Sequence, residues 1–143
     1  ELYSGAGLFS LPLSRLVGST GRLVTLEVDE AAVADAVANV GSDVLDAFVG
    51  DCDAPAVREL NSELGGAEII IADPPRSGAG KEVCRAMAST GAEHILLVSC
   101  DPAAASRDLH DLLEVGYRIT DMRAWDLFPY THHFEVMTVL ERI

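Results

Sequence analysis

Cys100 stands in Ser99-Cys100-Asp101-Pro102, at the end of an apolar run and directly before an aspartate–proline pair that starts a helix. A thiol in front of a helix N-terminus is favoured as its thiolate, the nucleophilic form. Glu135, in His132-His133-Phe134-Glu135, is a candidate for proton abstraction if it faces a partly apolar pocket. Asp73 heads Asp73-Pro74-Pro75-Arg76, where two prolines stiffen the loop and Arg76 adds a local positive charge. Near the start, Gly5-Ala6-Gly7 lets the backbone approach a ligand beside a helix N-terminus. The third glycine of a dinucleotide fingerprint is Ser10 here. Glu27 follows Gly7 by 20 residues, the spacing at which a carboxylate receives ribose hydroxyls. Asp51, after the next apolar run, is placed to face an adenine edge. Two carboxylates repel phosphates, so the pattern suits an adenosine without a pyrophosphate, S-adenosylmethionine rather than NAD.

Each group also has a plainer reading. The glycines can make only a tight turn, Asp73 can be a solvated residue in a rigid connection, and Cys100 can be a small apolar side chain closing a strand. Glu135 can be an edge-strand residue in water, with His132 and His133 as surface polar residues. In a strand, His133, Glu135 and Met137 share one face, and His132, Phe134 and Val136 the other. His-His-x-Glu lacks helical ligand spacing and a partner triad, so no metal is expected. The three cysteines, Cys52, Cys84 and Cys100, form neither a disulfide framework nor a Cys-x-x-Cys site. Cys52 lacks the setting of Cys100, and Cys84 falls inside a helix pattern.

These residues need a scaffold that brings strand ends together. Apolar clusters alternate with helical patterns, which predicts an α/β fold with a parallel sheet and helices on both faces. A strand ends at Tyr3. Helices are predicted over 8–17, 30–39, 55–64, 81–89 and, with Asp101 as cap and Pro102 at the first helical position, to about 114. Strands are predicted over 23–27, 46–49, 68–72 and 94–99. Two further strands, 116–124 and 134–142, follow without a helix between them and read as an antiparallel pair closing the sheet. Every candidate residue then lies at or just beyond a strand end. The 143 residues read as one catalytic domain, 1–143, with no internal repeat or linker. The opening Glu1-Leu2-Tyr3-Ser4 resembles a strand already in progress, so the expectation is the C-terminal part of a longer protein.

Composition narrows the classes. Hydrophobic residues make up 49% and charged residues 23%, as in folded globular chains. The apolar runs are too short for a membrane helix, and a soluble cytoplasmic protein is expected. Ten Lys+Arg against 23 Asp+Glu give a net charge of −13, a poor match for a polyanion. If the substrate is nucleic acid, most phosphate binding must come from other regions or from a local cluster.

Taken together, the segments 2–13, 73–78, 98–103 with Arg107-Asp108-Leu109, 126–135 and Leu140-Glu141-Arg142 resemble, in order, the signatures of the RNA uracil-5 methyltransferases that act on transfer RNA and 23S ribosomal RNA. The resemblance implies a class I S-adenosylmethionine-dependent methyltransferase fold, Rossmann-like, with a seven-stranded sheet, its last strand antiparallel and its first truncated here. It implies that Cys100 attacks C6 of a uracil, that Glu135 removes the C5 proton, and that Asp73 positions the substrate. Tyr3, Gly5, Gly7, Glu27, Asp51 and Asp73 are implied as cofactor contacts. RNA is the implied partner, held largely by N-terminal regions outside this chain. Members commonly carry cysteine at the position of Ser4, asparagine at those of Leu8 and Asp101, and histidine at that of Tyr130. Asp101 places a negative charge beside Cys100 and opposes the thiolate unless it caps the helix.

Other functions remain compatible with the residues. An amino methyltransferase would use the Asp-Pro-Pro loop to position an amine and would need neither Cys100 nor Glu135. A noncatalytic cofactor-binding module would need neither as well. A nicotinamide-dependent dehydrogenase is disfavoured by Ser10 and the paired carboxylates.

Overall fold

A computed structural model of the chain describes residues 1–127, 129–130 and 134–143. It comprises two compact units, Glu1–Cys52 and Asp53–Ile143. The first contains α1 (Ser10–Val17), β1 (Leu23–Glu27), α2 (Glu30–Val40) and β2 (Leu45–Val49). The second contains α3 (Ala54–Leu64), β3 (Ile69–Ala72), α4 (Lys81–Ser89), β4 (His94–Ser99), α5 (Pro102–Glu114), β5 (Tyr117–Trp125) and β6 (Glu135–Arg142).

In the first unit β1 and β2 are parallel, with Leu23 opposite Leu45 and Glu27 opposite Val49. Leu23, Thr25 and Leu26 of β1 are buried, as are Val33 and Ala36 of α2. Asp29 starts α2 by accepting from the amides of Ala31 and Ala32, which satisfies donors the helix itself leaves open. The segment before the glycine turn runs beside β1 as a single parallel bridge, Leu2 to Leu26, where the sequence predicts a strand end. The first helix is shorter than predicted. Residues 5–9 form turns, and Phe9 at the helix entrance has no side chain able to cap it.

The second unit holds a four-stranded sheet in the order β3-β4-β6-β5. β3 and β4 are parallel, whereas β6 is antiparallel to both β4 and β5. The predicted antiparallel pair is present, but β6 returns between β4 and β5 rather than extending the edge. Ile95 and Leu97 of β4 and Thr138 and Leu140 of β6 alternate into the core, as a sheet with period two requires. Met87 and Cys84 of α4, Leu112 of α5 and Tyr117 of β5 are also buried there. Among the described residues there are thus six strands and one bridge. No described helix is long and apolar enough to cross a membrane.

Candidate active site

The predicted cofactor residues of the first unit gather around one turn. Tyr3 adopts a left-handed backbone, φ 61°, unusual for a residue with a side chain. Its amide donates to the Leu26 carbonyl at 2.9 Å and its hydroxyl to the Cys52 carbonyl at 3.1 Å. Gly5 donates its amide to Oε2 of Glu27 at 3.0 Å, while Oε1 of Glu27 accepts from Asp29 at 3.0 Å. One half-buried carboxylate therefore ties the glycine turn to the end of β1. A Cβ on Gly5 would meet nothing within 4 Å, so the space above this turn is open. Gly7 differs: a Cβ there would lie 3.2 Å from Ala36, so its lack of a side chain lets the turn pack on α2. Asp51 is exposed just beyond β2, whose end is tied to β1 by the Gly50 amide on the Glu27 carbonyl at 2.9 Å.

Cys52 is engaged by this framework. Its Sγ donates to the Leu26 carbonyl at 3.2 Å and accepts from the Tyr3 amide at 3.3 Å. Burial, together with the charges of Glu27 and Asp51, pushes its thiol up to about 11. Asn39, on the helix that follows β1, donates to the Ala6 carbonyl at 3.0 Å and steadies the glycine turn. No local pattern marks such a long-range amide contact.

In the second unit the predicted chemical residues lie at one end of the sheet. Asp73 follows β3 directly, at the carboxyl end where open α/β sheets bind ligands. Cys100 follows β4 in the same way, and Glu135 begins the antiparallel β6. Ser99 is paired with Val136, so Cys100 and Glu135 are the residues next to the last pair of that register. All three side chains are half-buried. Burial first, and the Glu135 carboxylate second, raise the pKa of Asp73. Asp101 accepts from the Ala104 amide at 2.8 Å, so the charge beside Cys100 is spent on capping α5. Cys84 is buried in α4 and pushed up to about 12 by burial and the charges of Asp108 and Asp111. The predicted face-sharing of His132 and His133 lies outside the described residues. Asp108, quoted in the sequence only as part of a signature, is buried on the face of α5 that also carries Ala104, Ala105, Leu109 and Leu112. A carboxylate at helical spacing within an apolar stripe was the signal for it.

The sequence profile of the tRNA (uracil-5-)-methyltransferase family matches residues 59–143, more than half of the chain. The chain belongs to that family. A 23S rRNA (uracil(1939)-C(5))-methyltransferase of Psychrobacter arcticus is 38% identical over 151 aligned residues, covering 100% of this chain and 28% of that protein. An RNA methyltransferase of Bifidobacterium longum is 36% identical, covering 99% of this chain and 33% of its own length. The chain thus spans about a third of the curated relatives it matches. Among solved structures, the Pyrococcus abyssi tRNA (uracil-54, C5)-methyltransferase in complex with S-adenosyl-L-homocysteine superposes with a TM-score of 0.77 at 27% identity, over 98% of this chain and 32% of that one. Aeropyrum pernix fibrillarin, at 18% identity and a TM-score of 0.76, shares the fold. The fold is that of the class I methyltransferases.

Proposed function

We propose that the protein containing this chain transfers a methyl group from S-adenosylmethionine to C5 of a uridine in tRNA or rRNA. The observation that supports the reading is the β4–β6 register, whose last pair, Ser99 with Val136, adjoins Cys100 and Glu135, with Asp73 at the neighbouring strand end. A nucleophile and a base on adjoining strand ends suit a reaction that needs both on one ring.

The donor set of the first unit fits the cofactor. Glu27 and Asp51 can accept from ribose hydroxyls and an adenine amine. Gly5 leaves the turn open, and the Ser4 hydroxyl is buried without a hydrogen-bond partner among the described residues. Tyr3 and Gly7 hold the turn in shape, and Asp73 is assigned to the reactive end. The cofactor supplies an electrophilic methyl group on a sulfonium.

Cys100 acts on the uracil. Its thiolate adds to C6, the C5–C6 π electrons move toward O4, and C5 becomes an enolate-like carbon that can accept the methyl. Glu135 then takes the C5 proton. The C–H electrons re-form C5=C6, and the Cys100 sulfur leaves with its own pair. Asp73, on a loop stiffened by Pro74 and Pro75, orients the base. RNA phosphates are assigned mainly to regions outside this acidic chain, and the protein to the cytoplasm.

The test uses the full-length protein with 5-fluorouridine-substituted RNA and S-adenosylmethionine. Fluorine at C5 cannot leave as a proton to Glu135, so the expected product is a stalled protein–RNA adduct. Mass spectrometry should locate it on Cys100 with the methyl group added. With RNA binding and cofactor turnover verified, absence of the adduct would favour methylation of an amine and return Cys100 to a packing role.

A further inference from the structure

Asp108 takes no part in the chemistry above, yet its residue is only 2% exposed and its carboxylate is fully used. Oδ2 accepts from the Ala79 amide at 2.7 Å and Oδ1 from the Gly80 amide at 2.9 Å. Both amides belong to the loop that starts at Asp73 and ends at Gly80, the residue that opens α4. Gly80 has no side chain to cap that helix, and Asp108 instead holds, from a different helix, the amide of the residue that opens α4 and the amide before it. Hydrogen bonds to an ionised acceptor are the stronger kind, and they offset the desolvation of a buried carboxylate.

The loop is shaped to receive this group. Gly78 has φ +86°, and a Cβ there would lie 2.7 Å from Oδ2 of Asp108. Arg107 grips the same loop from its exposed side, with Nη2 donating to the Ser77 carbonyl at 3.4 Å. Between this grip and Asp73 stand Pro74 and Pro75, and the Gly78 amide closes a turn onto the Pro75 carbonyl at 2.8 Å. A stiff connection of this kind passes a displacement at its far end on to Asp73. The helix that bears Asp108 starts at Pro102, immediately after Cys100 and its cap Asp101.

We infer that Asp108 is a positioning residue that, through the Ala79 and Gly80 amides, sets the Asp73 loop relative to the helix that begins beside Cys100. The inference rests on the role proposed for Asp73. It adds that the signature Arg107-Asp108 acts on the reaction without touching substrate.

The test is a double-mutant cycle in the full-length protein, with steady-state kinetics on unmodified RNA and a thermal melt to verify folding. Asp108→Asn keeps the shape but cannot accept from both amides. It should lower kcat by about 10- to 100-fold, the scale of a small misplacement of a reacting group, with KM for RNA and for S-adenosylmethionine within about two-fold. In an Asp73→Asn background, the same change should cost less than about two-fold further, because the two act through one element. Gly78→Ala leaves the carboxylate intact and denies it the loop, so it should reproduce the loss. It carries the same cycle if Asp108→Asn does not fold. A lowered melting temperature with unchanged kcat, or full additivity with Asp73→Asn, would overturn the inference and leave the role of Asp73 standing. Normal turnover by Asp73→Asn alone would remove that role and the inference with it.

Discussion

Asp73 is half-buried at the end of β3, and burial, followed by the Glu135 carboxylate, raises its pKa. A raised folded-state pKa means that the group favours folding while protonated. That contribution is complete below the ordinary carboxylate range and is lost as pH rises through the raised value. At neutral pH the ionised side chain is therefore held at a cost to stability. Asp73→Asn should raise the melting temperature at pH 7, show little difference at strongly acid pH, and lower turnover by roughly 100-fold. A melting temperature unchanged at pH 7 would show that Asp73 is not strained by its site. Glu135→Gln should slow release by about 10²- to 10⁴-fold and let a covalent protein–RNA species accumulate on ordinary RNA, visible as a shifted band on a denaturing gel. The cysteines divide by their surroundings. Cys52, pushed up to about 11, and Cys84, to about 12, are almost wholly protonated at pH 8. Iodoacetamide at that pH should leave both unlabelled in the folded protein and label them in urea, as read by peptide mass spectrometry.

At the scale of elements, β1, α4 and β4 stand where the sequence pattern places them, because each is an apolar or amphipathic run with clear punctuation. α5 begins as expected since Asp101 and Pro102 are both start signals, one capping and the other lacking the amide a helix does not need there. The strand order was not legible. Two strands without an intervening helix suggest a hairpin, but whether the second lies outside or inside the first depends on which edge it pairs with, and no local residue reports that. The sequence marks Cys100, Asp73 and Glu135 as candidates because each carries a reactive group at a strand boundary, whereas Asn39 and Asp108 make long-range contacts that no local pattern reports. Two packing predictions belong here. Gly7→Ala must fit a Cβ 3.2 Å from Ala36 at φ +89°, and should destabilise the fold by about 1–3 kcal/mol in urea titration. Tyr117→Phe removes the buried bond from its hydroxyl to the Ala92 carbonyl, 2.6 Å, and should cost about 1–2 kcal/mol.

Over the whole molecule, the net charge of −13 works against compactness as well as against RNA. Repulsion among 23 carboxylates is long-ranged in dilute buffer and screened within about 8 Å at physiological ionic strength. The melting temperature of the 143-residue chain should accordingly rise by a few degrees, about 2–5 °C, between low salt and 0.5 M sodium chloride. A fall on adding salt would show that attractive ion pairs outweigh the repulsion. Among the described residues, the ion pairs Arg22–Asp46 and Arg118–Glu141 are exposed and of the kind that contributes little. The candidate residues divide between the two compact units, with Tyr3, Gly5, Gly7, Glu27 and Asp51, proposed for the cofactor, in one and Asp73, Cys100 and Glu135, proposed for the chemistry, in the other.

The insertion of β6 between β4 and β5 also sets an order in time. During synthesis on the ribosome, β4 and β5 are made before the strand that joins them. Both must wait with open hydrogen-bonding edges until residues 135–142 emerge, a long-range closure of the slow kind. The strand that begins at Glu135 joins β4, which Cys100 follows, only at that last step. Under the proposed mechanism, a nascent chain that met a uridine early would carry Cys100 without the strand that brings Glu135, so completing the sheet would also arm the reaction.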